Sequence, residues 1–238
     1  MLYKIISIPL LPFFLFQGKK VKKNMPRLPE ATGKRTGVVG SGKKLNLLIL
    51  GDSAAAGVGT DIQENALSGQ IINNLKNNYE LSWDLIAKSG KTTKDTIKFL
   101  KKLTENEKIK KYDIVIVSSG VNDVLSKLDA SKWIIYAEKL TRILEKDFKS
   151  KLILFTNLPP MQNFKALPQP LRWYLGARSG EFNLKLDKSF KNKPKVLNFD
   201  IDFDDSKSYL ASDGFHPSKE GYELWAKTLA KLIKKEYK

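Results

Sequence analysis

Two short stretches, far apart in the chain, hold side chains that could do chemistry together. Gly51-Asp52-Ser53 closes an apolar, β-rich run and is followed only by small residues, from Ala54 to Gly59. A serine at such a strand-to-helix corner exposes its hydroxyl. Its own N–H can point at a substrate carbonyl, and a helix N-terminus beyond it would add positive potential. Asp213-Gly214-Phe215-His216-Pro217 places the chain's only histidine three residues after a carboxylate. In a loop, that spacing lets Asp213 accept from one ring nitrogen and fix the tautomer, so that the other nitrogen can take a serine proton. Each stretch alone has an ordinary explanation, because Asp and Ser cap helices and a histidine before a proline-started helix hydrogen-bonds locally. Together they point to nucleophilic catalysis, with Ser53 as nucleophile, His216 as general base and Asp213 as the acid that orients it. Asp52 and Asp123 compete for the acid's role but are better suited to bracing their own loops.

Attack on a carbonyl also needs donors for the developing oxyanion, and losing one typically costs about a hundred- to a thousand-fold in rate. Beside the Ser53 N–H there are two candidates. Gly90, with a sterically open N–H, follows the second β-rich run, and Asn122, with a side-chain amide, follows the third in Gly120-Val121-Asn122-Asp123. Either could equally be turn chemistry.

The elements that would position these residues alternate along the chain. Strands are expected at 45–50, 83–87, 113–118, 151–156 and 196–200, with helices between them. The clearest helices are 131–148, with Trp133, Ala137, Leu140, Ile143, Leu144 and Phe148 on one stripe, and 218–237, with Tyr222, Trp225, Ala226, Leu229 and Ile233. Continuous apolar strands such as 114–117 suit a parallel sheet covered by helices on both faces.

The four segments carrying Ser53, Gly90, Asn122 and His216, in that order, resemble the SGNH hydrolase family, also called GDSL esterases and lipases. The four residues match the serine, glycine, asparagine and histidine of the family's name, and Asp213 matches the acid three residues before the histidine. Ala54 stands where many relatives have leucine. The resemblance runs from Leu45 to the C-terminus. It implies a three-layer α/β/α domain with a flavodoxin-like, five-stranded parallel sheet of order 2-1-3-4-5. Gly90 and Asn122 would then flank Ser53 at the carboxyl edge, where open α/β sheets bind ligands. It further implies ester hydrolysis through an acyl-enzyme, with Ser53 N–H, Gly90 N–H and Asn122 as the oxyanion hole and no metal or organic cofactor.

Composition narrows the alternatives. The absence of cysteine and the single histidine exclude thiolate and multi-histidine metal sites. Residues 37–44 (GVVGSGKK) match a phosphate-loop pattern, but Lys44 stands where Ser or Thr should be, and the motif precedes a strand instead of following one. The acidic run Asp200, Asp202, Asp204, Asp205 lacks the spacing and glycine of a calcium loop.

The 42 Lys and Arg against 25 Asp and Glu give a net charge of +17. The excess is densest at Lys19, Lys20, Lys22, Lys23, Arg27, Lys34, Arg35, Lys43 and Lys44, against Glu30 alone. Such charge favours anionic surfaces, but no aromatic RNA-binding motif accompanies it. Before it, residues 5–16 (IISIPLLPFFLF) form an apolar run broken by Pro9 and Pro12, short of the roughly 20 residues of a spanning helix.

Three parts are therefore expected: a hydrophobic membrane-associating segment (1–18), a basic extended linker (19–44) and the catalytic domain (45–238). An apolar wedge followed by lysines suits peripheral attachment at an anionic membrane, on the cytoplasmic face, each lysine adding about 1 kcal/mol near the surface. No small-x-small cleavage site marks a removed signal peptide. The competing expectation is that residues 1–18 fold back over the domain as a flap.

After the fourth strand, Pro159-Pro160 leads into an apolar stretch from which Met161, Phe164, Leu171 and Trp173 are candidate acyl-chain contacts, with Arg172 and Arg178 as headgroup contacts or solvent-facing charges. Ordinary packing explains the stretch equally well. The expected substrate is a lipid-like ester of the lipase or lysophospholipase type. A carbohydrate or cell-wall O-acetylesterase is the alternative within the family, and a catalytically silent basic membrane- or nucleic-acid-binding module is the alternative outside it.

Overall fold

The computed structural model describes residues 2–105, 110–201 and 209–237. Among these, one sheet is sandwiched between helices. Its strands are β1 (Thr36–Val39), β2 (Lys43–Gly51), β3 (Tyr79–Ala87), β4 (Ile114–Ser118), β5 (Leu152–Thr156) and β6 (Val196–Phe199). The spatial order is β1-β3-β2-β4-β5-β6, with every pairing parallel except β1 to β3. Without β1, the order is the expected 2-1-3-4-5.

Alternation along the central strands sorts the core into two layers. Leu48, Leu50, Val115, Val117, Ile153 and Phe155 point to one face. There they meet α4 (Thr93–Glu105), α6 (Ala130–Lys146) and α7 (Leu171–Phe190) through Ile97, Leu100, Trp133, Leu140, Phe182 and Leu186. Leu47, Ile49, Ile114, Ile116 and Leu154 point to the other face, against Ile71 of α3 (Leu67–Leu75) and Tyr222, Trp225 and Leu229 of α8 (Lys219–Glu236). A strand apolar at every position is what burial on both faces requires. The short α5 (Val121–Leu125) follows β4 at the carboxyl edge.

The expected five-stranded all-parallel sheet gains an antiparallel edge strand from the stretch read as linker. β1 pairs Thr36 with Asp84 and Val39 with Leu81, and Thr36 Oγ1 donates to Asp84 Oδ1 at 2.7 Å. To reach β2 on the far side of β3, the chain must cross the start of β3. A Cβ on Gly40 would lie 2.3 Å from Lys76 O, and one on Gly42 2.7 Å from Asn78 O. Both residues also have positive φ, so the glycines of the 37–44 motif serve a backbone crossing that tolerates no side chain.

Residues 2–24 form a helical hairpin, α1 (Leu2–Ser7) and α2 (Leu11–Asn24), so a helix crosses the boundary expected at residues 18 and 19. Pro9 separates the two helices, while Pro12 falls in the first turn of α2, where its missing N–H costs nothing. The hairpin packs on the domain. Phe14 is buried and stacks on Tyr174 with ring centroids 4.6 Å apart. Lys4 pairs with Glu181 at 2.7 Å and Asp129 at 2.9 Å, and the Tyr3 hydroxyl donates to Glu181. No described helix is long and apolar enough to cross a membrane. Of the acidic run near residue 200, only Asp200 is described, accepting from Asn157 Nδ2 at 2.9 Å. Asp202, Asp204 and Asp205 lie outside the described residues.

Candidate active site

Ser53 lies two residues past the end of β2, where the sheet's carboxyl edge opens between the loops after β3 and β4. The sharp departure from β2 depends on Gly51, where a Cβ would meet Ser118 O at 2.2 Å and the Ala55 methyl at 2.6 Å. The expected helix does not follow. Residues 52–60 form a run of turns, held by Ala56 N–H to Asp52 O and Val58 N–H to Ser53 O, and the next α-helix starts only at Leu67. Gly57 and Gly59, both with positive φ, break the helical path. Any positive potential at Ser53 therefore comes from local N–H groups, with no helix dipole behind it.

The segment before α8 brings His216 to Ser53. His216 Nε2 is 2.9 Å from Ser53 Oγ, and His216 Nδ1 is 2.6 Å from Asp213 Oδ2. The other Asp213 oxygen accepts the backbone N–H groups of Phe215 at 2.9 Å and His216 at 3.0 Å. Burial works against the charged form of Asp213, but the bonds from His216 and from these N–H groups outweigh it and hold the carboxyl below the usual carboxylate range. An ionised Asp213 keeps a proton on Nδ1 and leaves Nε2 free to accept from the serine hydroxyl.

The two competing carboxylates have different work. Asp52 is 2% exposed, and Asn122 Nδ2 donates to its Oδ2 while Ala54 N–H donates to its Oδ1, both at 3.3 Å. Burial pushes its carboxyl up to about 7. Asp123 accepts the Thr93 N–H and Oγ1–H, each at 2.9 Å, so it tethers the first residue of α4 to the loop after β4, and burial raises its pKa as well. Trp133 Nε1 extends this bracing by donating to Thr93 Oγ1 at 3.0 Å. Neither carboxylate is hydrogen-bonded to His216.

Gly90 sits in the exposed turn after β3, at φ +76, with open space where a Cβ would be. Among the described residues, the N–H groups of Ser53 and Gly90 have no hydrogen-bond partner. The turn is held from the segment read as linker, since Ser89 N–H donates to Glu30 Oε1 at 2.7 Å and Arg35 binds both Glu30 and Ala87 O. Asn122, at the start of α5, is not a free donor. Besides Asp52, its amide donates to Lys91 O at 3.0 Å, which ties it to the Gly90 turn. Neither Glu30 nor Lys91 is recognisable in these roles from sequence alone.

A cleft of about 1040 Å³ opens beside Ser53 and His216. Its apolar walls include Leu158, Phe164, Leu210, Phe215 and Trp225, while Lys165 and Arg172 add positive charge. Of the four residues expected to contact an acyl chain, only Phe164 lines it. Met161 and Leu171 point into the core, and Trp173 stands on the outer face of α7, 37% exposed. The segment turns as a single 3-10 turn (Met161–Asn163) and then an irregular loop, so cleft-lining and core positions follow no regular period. The two arginines also separate. Arg178 is buried, and its guanidinium satisfies the carbonyls of Val124, Ser126 and Leu128 at the end of α5, so it does not face a headgroup or water. Arg172 lines the cleft, and its Nε has no hydrogen-bond partner. Among the described residues no group of three or more His, Asp or Glu side chains could hold a metal ion.

Residues 49–224 match the family model described as the GDSL-like Lipase/Acylhydrolase family. The chain is similar to the spore germination lipase LipC of Bacillus licheniformis, 27% identical over 213 residues that cover 78% of this chain and 94% of the relative. Among solved structures, it is similar to the lipase Lip_vut3 from a goat rumen metagenome, with TM-score 0.59 and 25% identity, over 79% of this chain and 96% of that one. It also superposes on the psychrotrophic esterase EstA of Pseudoalteromonas sp., with TM-score 0.59 and 21% identity, over 80% and 97% of the two chains.

Proposed function

The chain belongs to the GDSL-like lipase/acylhydrolase family and is a carboxylic ester hydrolase, and on that premise we propose that it cleaves a lipid-like ester through a Ser53-His216-Asp213 triad. The observation that carries this reading is the unbroken run of contacts from Asp213 through His216 to Ser53 Oγ, at 2.6 and 2.9 Å, beside a deep and largely apolar cleft.

Ser53 Oγ attacks the ester carbonyl as His216 Nε2 takes its proton, and Asp213 stabilises the imidazolium that results. The oxyanion is met by the unengaged N–H groups of Ser53 and Gly90. Asn122 joins them by turning one amide N–H away from its 3.3 Å contact with Asp52, the longer of its two bonds. His216 returns the proton to the departing alcohol. Water then attacks the acyl-enzyme carbonyl as His216 Nε2 takes its proton, and His216 returns that proton to Ser53 Oγ as the acid leaves.

Phe164, Phe215, Leu158 and Leu210 suit an acyl chain, and the positive charges of Lys165 and Arg172 on the same cleft suit a phosphate, which favours a lysophospholipid type of ester. Asn157, Gln162 and Asn163 on the same cleft favour a second reading, a carbohydrate O-acetylesterase. The deciding test compares p-nitrophenyl esters of increasing acyl length, an acetylated sugar and a lysophospholipid. The lipid reading predicts that kcat/KM rises with chain length, and that Arg172→Met lowers turnover of the lysophospholipid about tenfold or more while sparing the uncharged esters. Preference for the acetylated sugar would reject it.

A further inference from the structure

The α1–α2 hairpin uses only one side to pack on the domain. Phe14, Gln17 and the half-buried Val21, spaced three and four apart, form the docked stripe of α2. The opposite side is apolar at one end and basic at the other. Ile5 and Ile8 of the α1 arm stand 67% and 65% exposed, and Leu15 and Phe16 of α2 stand 56% and 62% exposed. From Lys19 onward the exposed positions become Lys19, Lys20, Lys22 and Lys23. Among the described residues none of these four lysines is paired with a carboxylate, and no acidic residue precedes Glu30. Lys4, by contrast, is consumed by Asp129 and Glu181. Contiguous exposed apolar surface bordered by unpaired cations marks an interaction site and not a solvated face.

The hairpin also adjoins the cleft. A groove of about 540 Å³ runs between α2, through Phe13, Phe16 and Lys20, and the loop at 165–168, and Asp213 lies at its edge. Lys165 lines this groove and the cleft alike. Gln17 ties the two regions together, because its amide donates to Gln169 O at 2.7 Å and accepts the Leu171 N–H at 3.1 Å, directly before the cleft residue Arg172.

We infer that the outward face of the α1–α2 hairpin is a docking surface for an anionic lipid bilayer, which holds the mouth of the cleft at that surface. The occupant follows from charge and shape. The apolar end matches the acyl region and the lysines match anionic headgroups, the two contributions that peripheral binding adds together. A second copy of the chain is disfavoured as the occupant, because it would set these lysines against their equals on a chain of net charge +17. Docking is independent of the hydrolase reading, whereas its service to the cleft rests on that reading.

The test is co-sedimentation of the full chain with vesicles of phosphatidylcholine mixed with phosphatidylglycerol, and with vesicles of phosphatidylcholine alone. Turnover of a short, soluble ester is measured alongside. The chain is expected to bind the anionic vesicles. Replacing Lys19, Lys20, Lys22 and Lys23 together by Gln should weaken binding roughly a thousandfold, and Phe13→Ser with Phe16→Ser about tenfold or more. Both sets of changes lie at exposed positions and should leave short-ester turnover unchanged. Failure of the wild-type chain to bind anionic vesicles, binding undiminished in both variants, or a hairpin-dependent dimer that leaves vesicles unbound would each overturn the inference. Loss of ester turnover in the wild-type chain would instead strike the hydrolase reading and leave the docking result standing.

Discussion

A serine hydroxyl does not lose its proton near neutral pH unless a base is held against it, and here the imidazole beside Ser53 is held by one carboxylate with both oxygens engaged. Asp213 takes the imidazole on one oxygen and two backbone N–H groups on the other. Asp52 and Asp123, buried and raised in pKa, instead brace the loops that carry the proposed oxyanion donors. Asn122 sits at the junction of both systems, because its amide bridges Asp52 and the Gly90 turn. Asn122→Ala should lower kcat on a short soluble ester by about a hundred- to a thousand-fold with KM little changed, since the donor matters only once charge develops on the carbonyl oxygen. A variant with unaltered kcat and a normal thermal transition would remove Asn122 from the oxyanion hole. Ser53, Asp213 and His216 were legible in the sequence because their chemistry is local, a lone histidine three residues after an acid and a serine among small residues. The cleft wall was not. Met161 and Leu171 face the core while Phe164 and Arg172 face the cleft, and an irregular segment carries no periodicity that would tell the two sets apart.

The five parallel strands and the helices at 131–148 and 218–237 could be read directly from runs of apolar residues and 3.6-residue stripes. The structure moves most of their ends by only one or two residues, though β3 starts four residues earlier than expected. The edge strand β1 escaped because Thr36–Val39 is short, half polar in its surroundings and bounded by glycines and lysines, and its hydrogen bonds run to a strand more than forty residues away. The hairpin was visible as an apolar run, but the proline breaks said only that it would not be one helix. One of the contacts that dock it is made by a polar residue. Gln17, buried among apolar neighbours, satisfies a carbonyl and an N–H that would otherwise be stranded at the start of α7. Gln17→Leu removes both bonds while keeping similar bulk, and leaves two backbone groups unpaired. It should destabilise the chain by about 1–3 kcal/mol, roughly 2–10 °C in Tm for a domain of this size. An unchanged Tm would mean that the hairpin does not rest on that edge of the domain in solution.

Across the fold, the sheet's carboxyl edge collects the loops after β2, β3 and β4, which carry Ser53, Gly90 and Asn122, and the segment before α8 brings His216 and Asp213 to Ser53. The segment before the domain does more than link, since Glu30 and Arg35 brace the Gly90 turn and the hairpin adjoins the cleft through Lys165. Charge alone indicated an anionic partner but not which face would meet it, because lysines are spread along the entire sequence. A working serine hydrolase site at this edge would give the intact chain a readable property. Incubated with a fluorophosphonate, the folded protein should gain the mass of one adduct, located on Ser53 by peptide mapping and lost in Ser53→Ala. A folded chain that stays unmodified, or a Ser53→Ala variant that gains the same adduct, would contradict it.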